Sequence, residues 1–164
     1  MSNYIRPKIA GTPVFFTLNL AHRGTSLLVD NIKTLRHAFT ATMAERPFTI
    51  NAIVILPDHL HTVLTLPDTD YATRWRIIKA RFSREVPKGH VRPSHVARKE
   101  RGVWQRRYWE HHIRNERDYR KHVEYCWLNP VKHGLVERPS AWPHSSIHRD
   151  IRQGTAPPRM AITP

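Results

Sequence analysis

Alternating apolar side chains along the chain predict its strands. The segment 13–21, PVFFTLNLA, carries apolar residues on both faces, which is typical of a central strand of a sheet. The segments 48–56 and 59–66 are separated only by a Pro-Asp pair and predict two strands joined by a short turn. A fourth strand is predicted over 103–113. Along the chain, a single strand is therefore followed by a pair of strands and then by another single strand.

Three segments with the apolar period of a helix lie between and after these strands. They span 31–45, 71–86 and 116–129, and the last one is expected to end near an Asn-Pro pair. Gly134 marks the turn that follows. The predicted N-cap residues, whose short polar side chains accept hydrogen bonds from the first turn, are Asp30, Asp70 and Asn115.

The order of these elements indicates the fold class. A single antiparallel sheet with helices packed on it, an α+β fold, buries the apolar faces of all of them. The same order resembles the split βαβ arrangement of ferredoxin-like folds. We expect one domain over 1–150, with a loop at 87–102, and a disordered tail over the proline-rich segment 151–164.

Composition excludes several classes of protein. Hydrophobic residues make up 40% of the 164 residues, which is enough for a core and excludes a chain that is disordered throughout. No apolar run approaches the length of about 20 residues that a transmembrane helix needs, and the polar N-terminus does not resemble a secretory signal. The single cysteine excludes an internal disulfide. We therefore expect a cytoplasmic protein that is not attached to a membrane.

The charge of the chain indicates its partner. There are 27 Lys and Arg residues against 13 Asp and Glu, a formal net charge of +14, and most of the basic residues are Arg. The planar guanidinium group binds phosphate oxygens with two hydrogen bonds and stacks on bases. A small folded protein with this composition is typical of nucleic-acid binding. A basic surface that is merely solvated is the alternative.

Basic and aromatic residues are concentrated between positions 79 and 107. Basic groups that follow phosphates, together with the aromatic faces of Trp104, Tyr108 and Trp109, suit single-stranded or hairpin nucleic acid. A solvated loop is the alternative for part of this segment. The candidate DNA-binding residues, one of which lies on an N-terminal arm, are Arg6, Lys79, Arg81, Arg84, Lys88, Arg106 and Arg107.

His59 and His61 form the sharpest chemical feature of the sequence. Residues i and i+2 of a strand point to the same face, so the two imidazoles stand side by side and could share one divalent metal ion. Leu60 points to the opposite face, toward the core. The alternative is a pair of histidines that make only structural hydrogen bonds, which is the commoner role of an isolated His-x-His.

Tyr125 and Asn129 are one turn apart on the last predicted helix, and Asp118 and His122 lie on the same side. A tyrosine oxygen is a competent nucleophile toward a phosphodiester, and an amide oxygen is a suitable ligand for Mg²⁺ or Mn²⁺. The alternative makes Tyr125 a packing residue and Asn129 a helix cap. The apolar stripe of this helix is formed instead by Tyr119, Val123, Cys126 and Trp127.

Other candidate residues are less suited to catalysis. Glu110 and His112 face one side of the fourth strand and His111 faces the other, so the three cannot form one site. A structural or DNA-contacting role is expected for them. Tyr108 and Tyr119 are rival nucleophiles, but Tyr119 lies in the apolar stripe of the last helix, which favours core packing.

Three stretches, in this order and spacing, resemble a known family. They are LPDHLHTVL at 56–64, VWQRRYWEHHIRNERDY at 103–119 and YCWLNPVKHGLV at 125–136. The chain resembles the IS200-like HUH single-strand transposases, in which U is a hydrophobic residue, and more closely the REP-associated tyrosine transposases. The family often has Met-Pro-Asn where this chain has Leu-Pro-Asp before the first histidine.

The resemblance implies an HUH fold and a metal-dependent transfer of single-stranded DNA. It makes Tyr125 the nucleophile that forms a 5′-phosphotyrosine link, and it makes His59, His61 and Asn129 the ligands of Mg²⁺ or Mn²⁺. The implied substrate is the hairpin DNA of repetitive extragenic palindromes (REP). The closer subfamily implies a monomer, with a homodimer as the alternative.

Two other functions stay open at this point. One is an HUH nickase of the replication-initiator or relaxase type, although such enzymes usually have further domains. The other is a basic nucleic-acid-binding protein that derives from a transposase and does not cleave. A requirement for a divalent metal separates an enzyme from the second alternative, because a protein that only binds DNA has no need of the ion.

Overall fold

The computed structural model describes residues 9–161 and contains a four-stranded sheet. Its strands are β1 (Pro13–Asn19), β2 (Thr49–Ile55), β3 (His59–Thr65) and β4 (Trp109–His112). Their order across the sheet is β2-β3-β1-β4, and all neighbours are antiparallel. This order inserts β3 between β1 and β2, as in a split βαβ unit. The predicted α+β fold with a ferredoxin-like sheet is confirmed.

Helices cover both faces of this sheet. In chain order they are α1 (Leu27–Asp30), α2 (Ile32–Glu45), α3 (Tyr71–Glu85), α4 (Pro93–Ala97), α5 (Glu116–Lys132), α6 (Ile147–Arg152) and α7 (Pro158–Ala161), and a 3₁₀ turn occupies Pro139–Ala141. The helices α2 and α3 pack on one face, whereas α5 packs on β2 and β3 from the other face. Within residues 9–161, no helix has the length and apolar character that crossing a membrane requires.

The alternation of side chains along β1 and β3 divides the apolar residues between two cores. Phe16 and Leu60 point into the first core, beneath α2 and α3, and Phe15 and Val63 point into the second core, beneath α5. Burying a side chain of this size stabilises the fold by about 1.5–3 kcal/mol. The buried residues that α5 contributes to the second core, as its predicted apolar stripe requires, are Val123, Cys126 and Trp127.

Two of the three predicted helix caps are confirmed. The Asp70 side chain accepts a backbone hydrogen bond from the first turn of α3 at 3.1 Å, and Asn115 accepts one from the first turn of α5 at 2.9 Å. The prediction for Asp30 was wrong, because this residue ends α1 and its carboxylate accepts a hydrogen bond from Ser26 Oγ. The short helix α1 has too few residues to show a period in the sequence.

The helix α5 continues beyond the Asn-Pro pair at which we expected it to end. Pro130 lies in the last turn of the helix, where its missing N–H removes a single intrahelical hydrogen bond. The chain leaves the helix at Gly134, whose φ of +68° is in the left-handed region that glycine adopts without strain. The extra turn carries Lys132 and His133 to the end of the sheet that holds His59.

The segment before β4 differs from its prediction. The strand expected over 103–113 is confined to β4, and the loop expected over 87–102 contains the short helix α4. The ammonium group of Lys79 donates hydrogen bonds to the carbonyl oxygens of residues 105 and 106, at 2.7 and 3.2 Å. A side chain on α3 therefore satisfies backbone groups that a longer strand would have paired.

The segment expected to be a disordered tail is folded as far as the structure describes it. The end of α6 and all of α7 lie in it, and Met160 is buried in the second core. Just before it, the Arg149 guanidinium donates to the carbonyl oxygens of Ile50 and Asn51, at 2.8 and 2.6 Å, beside an irregularity in the pairing of β2. Two short helices give too few apolar positions to reveal this packing in the sequence.

Candidate active site

The two histidines of the His-x-His pair lie side by side on β3, as the strand spacing predicts. Both point to the α5 face of the sheet, with ring centroids 5.0 Å apart. Only 6% of His59 and 5% of His61 is exposed to solvent. Leu60, between them, is buried in the first core.

Hydrogen bonds to Nδ1 fix the orientation of both imidazole rings. His61 Nδ1 is 2.7 Å from Thr17 Oγ1, which lies directly opposite on β1. His59 Nδ1 donates to Asp58 Oδ1 at 2.6 Å. With Nδ1 engaged in each ring, Nε2 is the nitrogen available to a metal ion, and partners of this kind are what hold a ligating histidine in its tautomer.

Tyr125 lies over this pair of histidines from the α5 side. Its ring centroid is 5.0 Å from that of His61 and 5.7 Å from that of Phe15. The Lys132 ammonium lies 5.3 Å from the centroid of the same ring, in a cation–π contact that helps to orient it. Tyr125 is nevertheless 37% exposed, so its side chain is accessible from solvent.

Asn129 has the least satisfied side chain at the site. It is 1% exposed, and neither its Oδ1 nor its Nδ2 has a hydrogen-bond partner among residues 9–161. It lies one turn from Tyr125 and one turn from His133, whose rings contact His61 and His59, respectively. Burying an amide group without hydrogen-bond partners costs free energy of folding. A ligand that binds the amide oxygen would remove part of this cost.

These groups fit a divalent metal ion. Two imidazole nitrogens and an amide oxygen form a mixed nitrogen and oxygen donor set that could hold a divalent cation such as Mn²⁺ or Mg²⁺. Burial lowers the pKa of His59, and burial together with repulsion from the surrounding basic groups, His59, His133, Arg23 and Lys132, lowers the pKa of His61 to about 3. The imidazoles are therefore neutral near pH 7, as metal binding requires.

Asp58 is ionised beside these neutral histidines. Burial opposes its ionisation, but hydrogen bonds from His59, from the Gly24 backbone and from Arg23 outweigh that effect and lower its pKa to about 2. Arg23 Nε donates to Asp58 Oδ2 at 2.9 Å, and Gly24 N donates to the same oxygen at 2.8 Å. The carboxylate stays charged and holds the proton of His59 on Nδ1.

A second group of potential ligands lies beside the first turns of α5. His111 Nε2 is 2.8 Å from Asp118 Oδ2, and His122 Nδ1 is 3.2 Å from Asp118 Oδ1. The two imidazoles are stacked with centroids 4.5 Å apart, and the three residues are close enough to hold a metal ion. Unlike Asn129, however, these atoms are already hydrogen-bonded, and Arg114 N also donates to Asp118 Oδ2 at 3.0 Å.

The neighbours of His111 and the rival tyrosines belong to other parts of the fold. The His112 ring is 6.0 Å from that of Tyr71, on the opposite face of the sheet from His111, as strand alternation predicts. Tyr108 packs against Phe16 with centroids 5.8 Å apart, and burial raises its pKa to about 12. Tyr119 packs against the second core.

The candidate DNA-binding residues fall into two groups. Lys79 donates to carbonyl oxygens, and burial lowers its pKa to about 8. Arg81 pairs with Glu45 on α2, and Arg106 Nε donates to Glu100 at 2.8 Å. These three residues hold protein segments together, whereas Arg84, Lys88 and Arg107 are exposed. Arg6 lies outside the described residues.

The sequence analysis missed several residues of the site, among them three that lie beside the histidines. His133 was detectable, because it follows Asn129 by one helical turn. Thr17 carried a weaker signal, since its alternation with apolar residues put it on the face of Phe15, but only the pairing of β1 with β3 brings it to His61. Arg23 carried no signal, because it reaches His59 from a loop between β1 and α1.

Comparisons with known proteins give consistent relatives, although no family model matches the chain. The chain is 45% identical over 159 residues to the REP-associated tyrosine transposase of Escherichia coli strain K12, covering 96% of this chain and 89% of that protein. A Haemophilus influenzae relative named for the same family is 44% identical over 156 residues, covering 93% of this chain and 89% of the relative. A solved structure of the REP-associated tyrosine transposase bound to a REP hairpin matches with a TM-score of 0.82 and 44% identity, covering 99% and 93% of the two chains.

The neutral state of buried His61 predicts how stability depends on pH. Between pH 6.5 and about 4.5 the unfolded chain binds a proton at this residue and the folded chain does not, because its folded pKa is about 3. The free energy of unfolding therefore falls as the pH falls through this window. In His61→Gln this contribution is absent, so the loss is smaller by about 2 kcal/mol. Urea unfolding of the unaltered chain and of His61→Gln, each at pH 6.5 and at about pH 4.5, measures these free energies. Equal losses of unfolding free energy in the two proteins would contradict the prediction.

Proposed function

The chain belongs to the REP-associated tyrosine transposases, enzymes of the HUH type, and from this premise we propose that it cleaves and rejoins single-stranded DNA through Tyr125. The observation that carries the proposal is the position of the accessible Tyr125 ring, 5.0 Å from the ring of buried His61. This closeness supports the proposal that Tyr125 and a metal ion held by the histidines act on the same phosphate.

In the proposed reaction, one phosphodiester linkage is exchanged for another, so the energy of the broken bond is kept. Tyr125 Oη attacks the scissile phosphorus, the bond from phosphorus to O3′ breaks, and the tyrosine proton is released. The products are a 5′-phosphotyrosine link and a free 3′-hydroxyl. Attack of a 3′-hydroxyl on the phosphotyrosine reverses these steps and releases Tyr125, so rejoining needs no nucleotide cofactor.

His59, His61 and Asn129 are the residues that would hold Mg²⁺ or Mn²⁺ in this site. The ion supplies polarisation of the phosphate and stabilisation of the leaving oxygen. Asp58 and Thr17 keep both imidazoles oriented through Nδ1, and Lys132 orients the tyrosine ring. These contacts reduce the rearrangement needed when the phosphate arrives.

The proposed substrate is hairpin DNA with a single-stranded flank. The solved relative is bound to a REP hairpin, and the match to it covers 99% of the chain described here. The formal net charge of +14 supports attraction to phosphates, and we propose that the exposed residues Arg84, Lys88 and Arg107 contact them. Because His59, His61 and Tyr125 meet within one chain, we propose a monomer as the active form.

Tyr125→Phe tests the nucleophile. The change removes only a hydroxyl group from a partly exposed ring, so the fold and DNA binding are retained while the covalent adduct and cleavage are lost. Denaturing gels of labelled hairpin DNA incubated with Mn²⁺ measure the adduct. Tyr119→Phe is the matched control on the same helix and keeps both activities. Adduct formation by Tyr125→Phe would overturn the assignment.

The metal ligands are tested by Mn²⁺ titration calorimetry alongside cleavage. His59→Ala and His61→Ala abolish Mn²⁺ binding and cleavage, but they leave hairpin binding largely intact because phosphate contacts elsewhere supply most of the affinity. Asn129→Ala weakens both, and excess Mn²⁺ restores cleavage in part because water replaces one neutral ligand.

His111→Ala is the control for the second group of potential ligands. It retains Mn²⁺ binding at the His59 and His61 site. Loss of all Mn²⁺ binding in His111→Ala, with retention in His59→Ala, would assign the metal to the group of His111, Asp118 and His122.

Arg107→Ala tests the DNA-binding surface. Removal of one phosphate contact lowers the slope of log affinity against log salt by roughly 0.7 for single-stranded DNA. Anisotropy titrations of a labelled hairpin with single-stranded flanks, at several salt concentrations, measure the slope. Arg36→Ala, an exposed arginine on α2, is the matched control and leaves the slope unchanged. Equal slopes for Arg107→Ala and the unaltered chain would place the DNA on another surface.

A further inference from the structure

Arg23 is held in a fixed orientation beside His59. Its Nε donates to Asp58 Oδ2 at 2.9 Å, and its Nη1 donates to Asn19 Oδ1. Its Nη2 is 3.3 Å from His59 Nδ1, which itself donates to Asp58. Two donors do not bind one another, so Nη2 keeps its N–H groups for another acceptor. The guanidinium is therefore oriented by the protein and still has hydrogen-bonding capacity to offer.

The ion pair of Arg23 with Asp58 presents its positive end to solvent. The Arg23 side chain is 49% exposed, whereas that of Asp58 is 13% exposed. Both carboxylate oxygens are already bound, Oδ1 by His59, and Oδ2 by Arg23 and the Gly24 backbone. An anion that approaches the pair therefore meets guanidinium N–H groups, which suit the oxygens of a phosphate.

Arg23 lines a cavity of about 410 Å³ next to the histidine pair. The cavity is also lined by the loop 23–26, by the segment 56–59 and by His133, which follows α5. Pockets for small ligands have volumes of about 300–1,000 Å³, so the cavity has room for one nucleotide. The His133 ring is 5.1 Å from that of His59, which places the cavity directly beside the site.

Tyr125 and the cavity lie at opposite ends of the histidine pair. The Tyr125 ring is 5.0 Å from that of His61, whereas Arg23 and His133 contact His59. Tyr125 and His133 are eight residues apart, which is about 12 Å along a helix. In an in-line displacement, the leaving oxygen departs on the side opposite the attacking oxygen. Attack by Tyr125 therefore directs the leaving 3′ end toward the cavity.

We propose that this cavity binds the nucleotide that leaves with the 3′-hydroxyl, and that Arg23 donates to the phosphate on the 5′ side of that nucleotide. This inference rests on the proposed function. After cleavage, the link to Tyr125 retains only the 5′-phosphate end of the DNA. The cavity retains the other end and keeps its 3′-hydroxyl close to the phosphotyrosine, which favours rejoining over release.

A double-mutant cycle between protein and DNA tests the phosphate contact. Arg23→Gln and the unaltered residue are compared in the Tyr125→Phe background, so that binding is measured without cleavage. The DNA is a REP-type hairpin with single-stranded flanks, in which a neutral methylphosphonate replaces one phosphate at a time. Arg23→Gln weakens binding of unmodified DNA by about 10-fold to 100-fold, as expected for a hydrogen bond to a charged group. It causes no further loss when the phosphate that precedes the scissile one is the neutral one.

Arg46→Gln is the matched control for this cycle. Arg46 also pairs with an aspartate, Asp70, at 3.5 Å, and its side chain is 45% exposed at the end of α2. Its effect on binding is the same for every methylphosphonate position. Arg23→Lys keeps the charge but not the planar group, and it restores part of the affinity that Arg23→Gln loses. Additive losses for Arg23→Gln at every position, or unchanged binding of unmodified DNA, would overturn the proposal.

Two further measurements separate a phosphate contact from a structural role of Arg23. In calorimetry without DNA, Arg23→Gln binds Mn²⁺ as the unaltered chain does, and a weaker affinity would assign Arg23 to the support of His59 instead. With Tyr125 intact and protein at saturation, Arg23→Gln raises the ratio of covalent adduct to intact DNA, because the 3′-hydroxyl fragment is released before it rejoins. An unchanged or lower ratio would contradict retention. Failure of the proposed function is seen separately, as the absence of any adduct in the unaltered chain.

Discussion

The packing of α5 against β2 and β3 is the interaction on which the site depends. Val123, Cys126 and Trp127 bury one side of the helix in the second core, and Trp127 Nε1 donates to Asp150 Oδ2 at 3.0 Å. With that side anchored, the helical period brings Tyr125 over the histidines of β3 and puts Asn129 one turn further along the same helix. The tyrosine lies on α5 and the histidines lie on β3. Any shift of α5 therefore changes the distance and angle between the tyrosine and both histidines.

A second constraint is the dry, hydrogen-bonded setting of the histidines. Burial keeps both imidazoles neutral, and Thr17 and Asp58 bind the nitrogens that face away from the proposed metal. The group of His111, Asp118 and His122 shows the contrast. Its polar atoms bind one another and Arg114, so it links β4 to the start of α5 without a ligand. The buried amide of Asn129, which has no hydrogen-bond partner within residues 9–161, distinguishes the first group from the second.

Local patterns predicted much of the fold and part of the site. The alternation in β1 and β3, the stripe of α5 and the caps Asp70 and Asn115 depend on short-range rules, and the structure contains them all. Features that depend on contacts distant in sequence were missed or misjudged. The contact of Thr17 with His61 depends on the strand register, and Arg23 reaches the site from a loop. Lys79 donates to a carbonyl oxygen in a segment that was expected to be part of a strand. Short helices such as α4 and α7 are too brief to show a period.

The most direct test of the account is an anomalous difference map from crystals of the protein soaked in Mn²⁺. The account predicts one strong peak between about 2.0 and 2.3 Å from His59 Nε2, His61 Nε2 and Asn129 Oδ1, on the side of the histidines that faces Tyr125. A peak among His111, Asp118 and His122, with none at the β3 histidines, would contradict it.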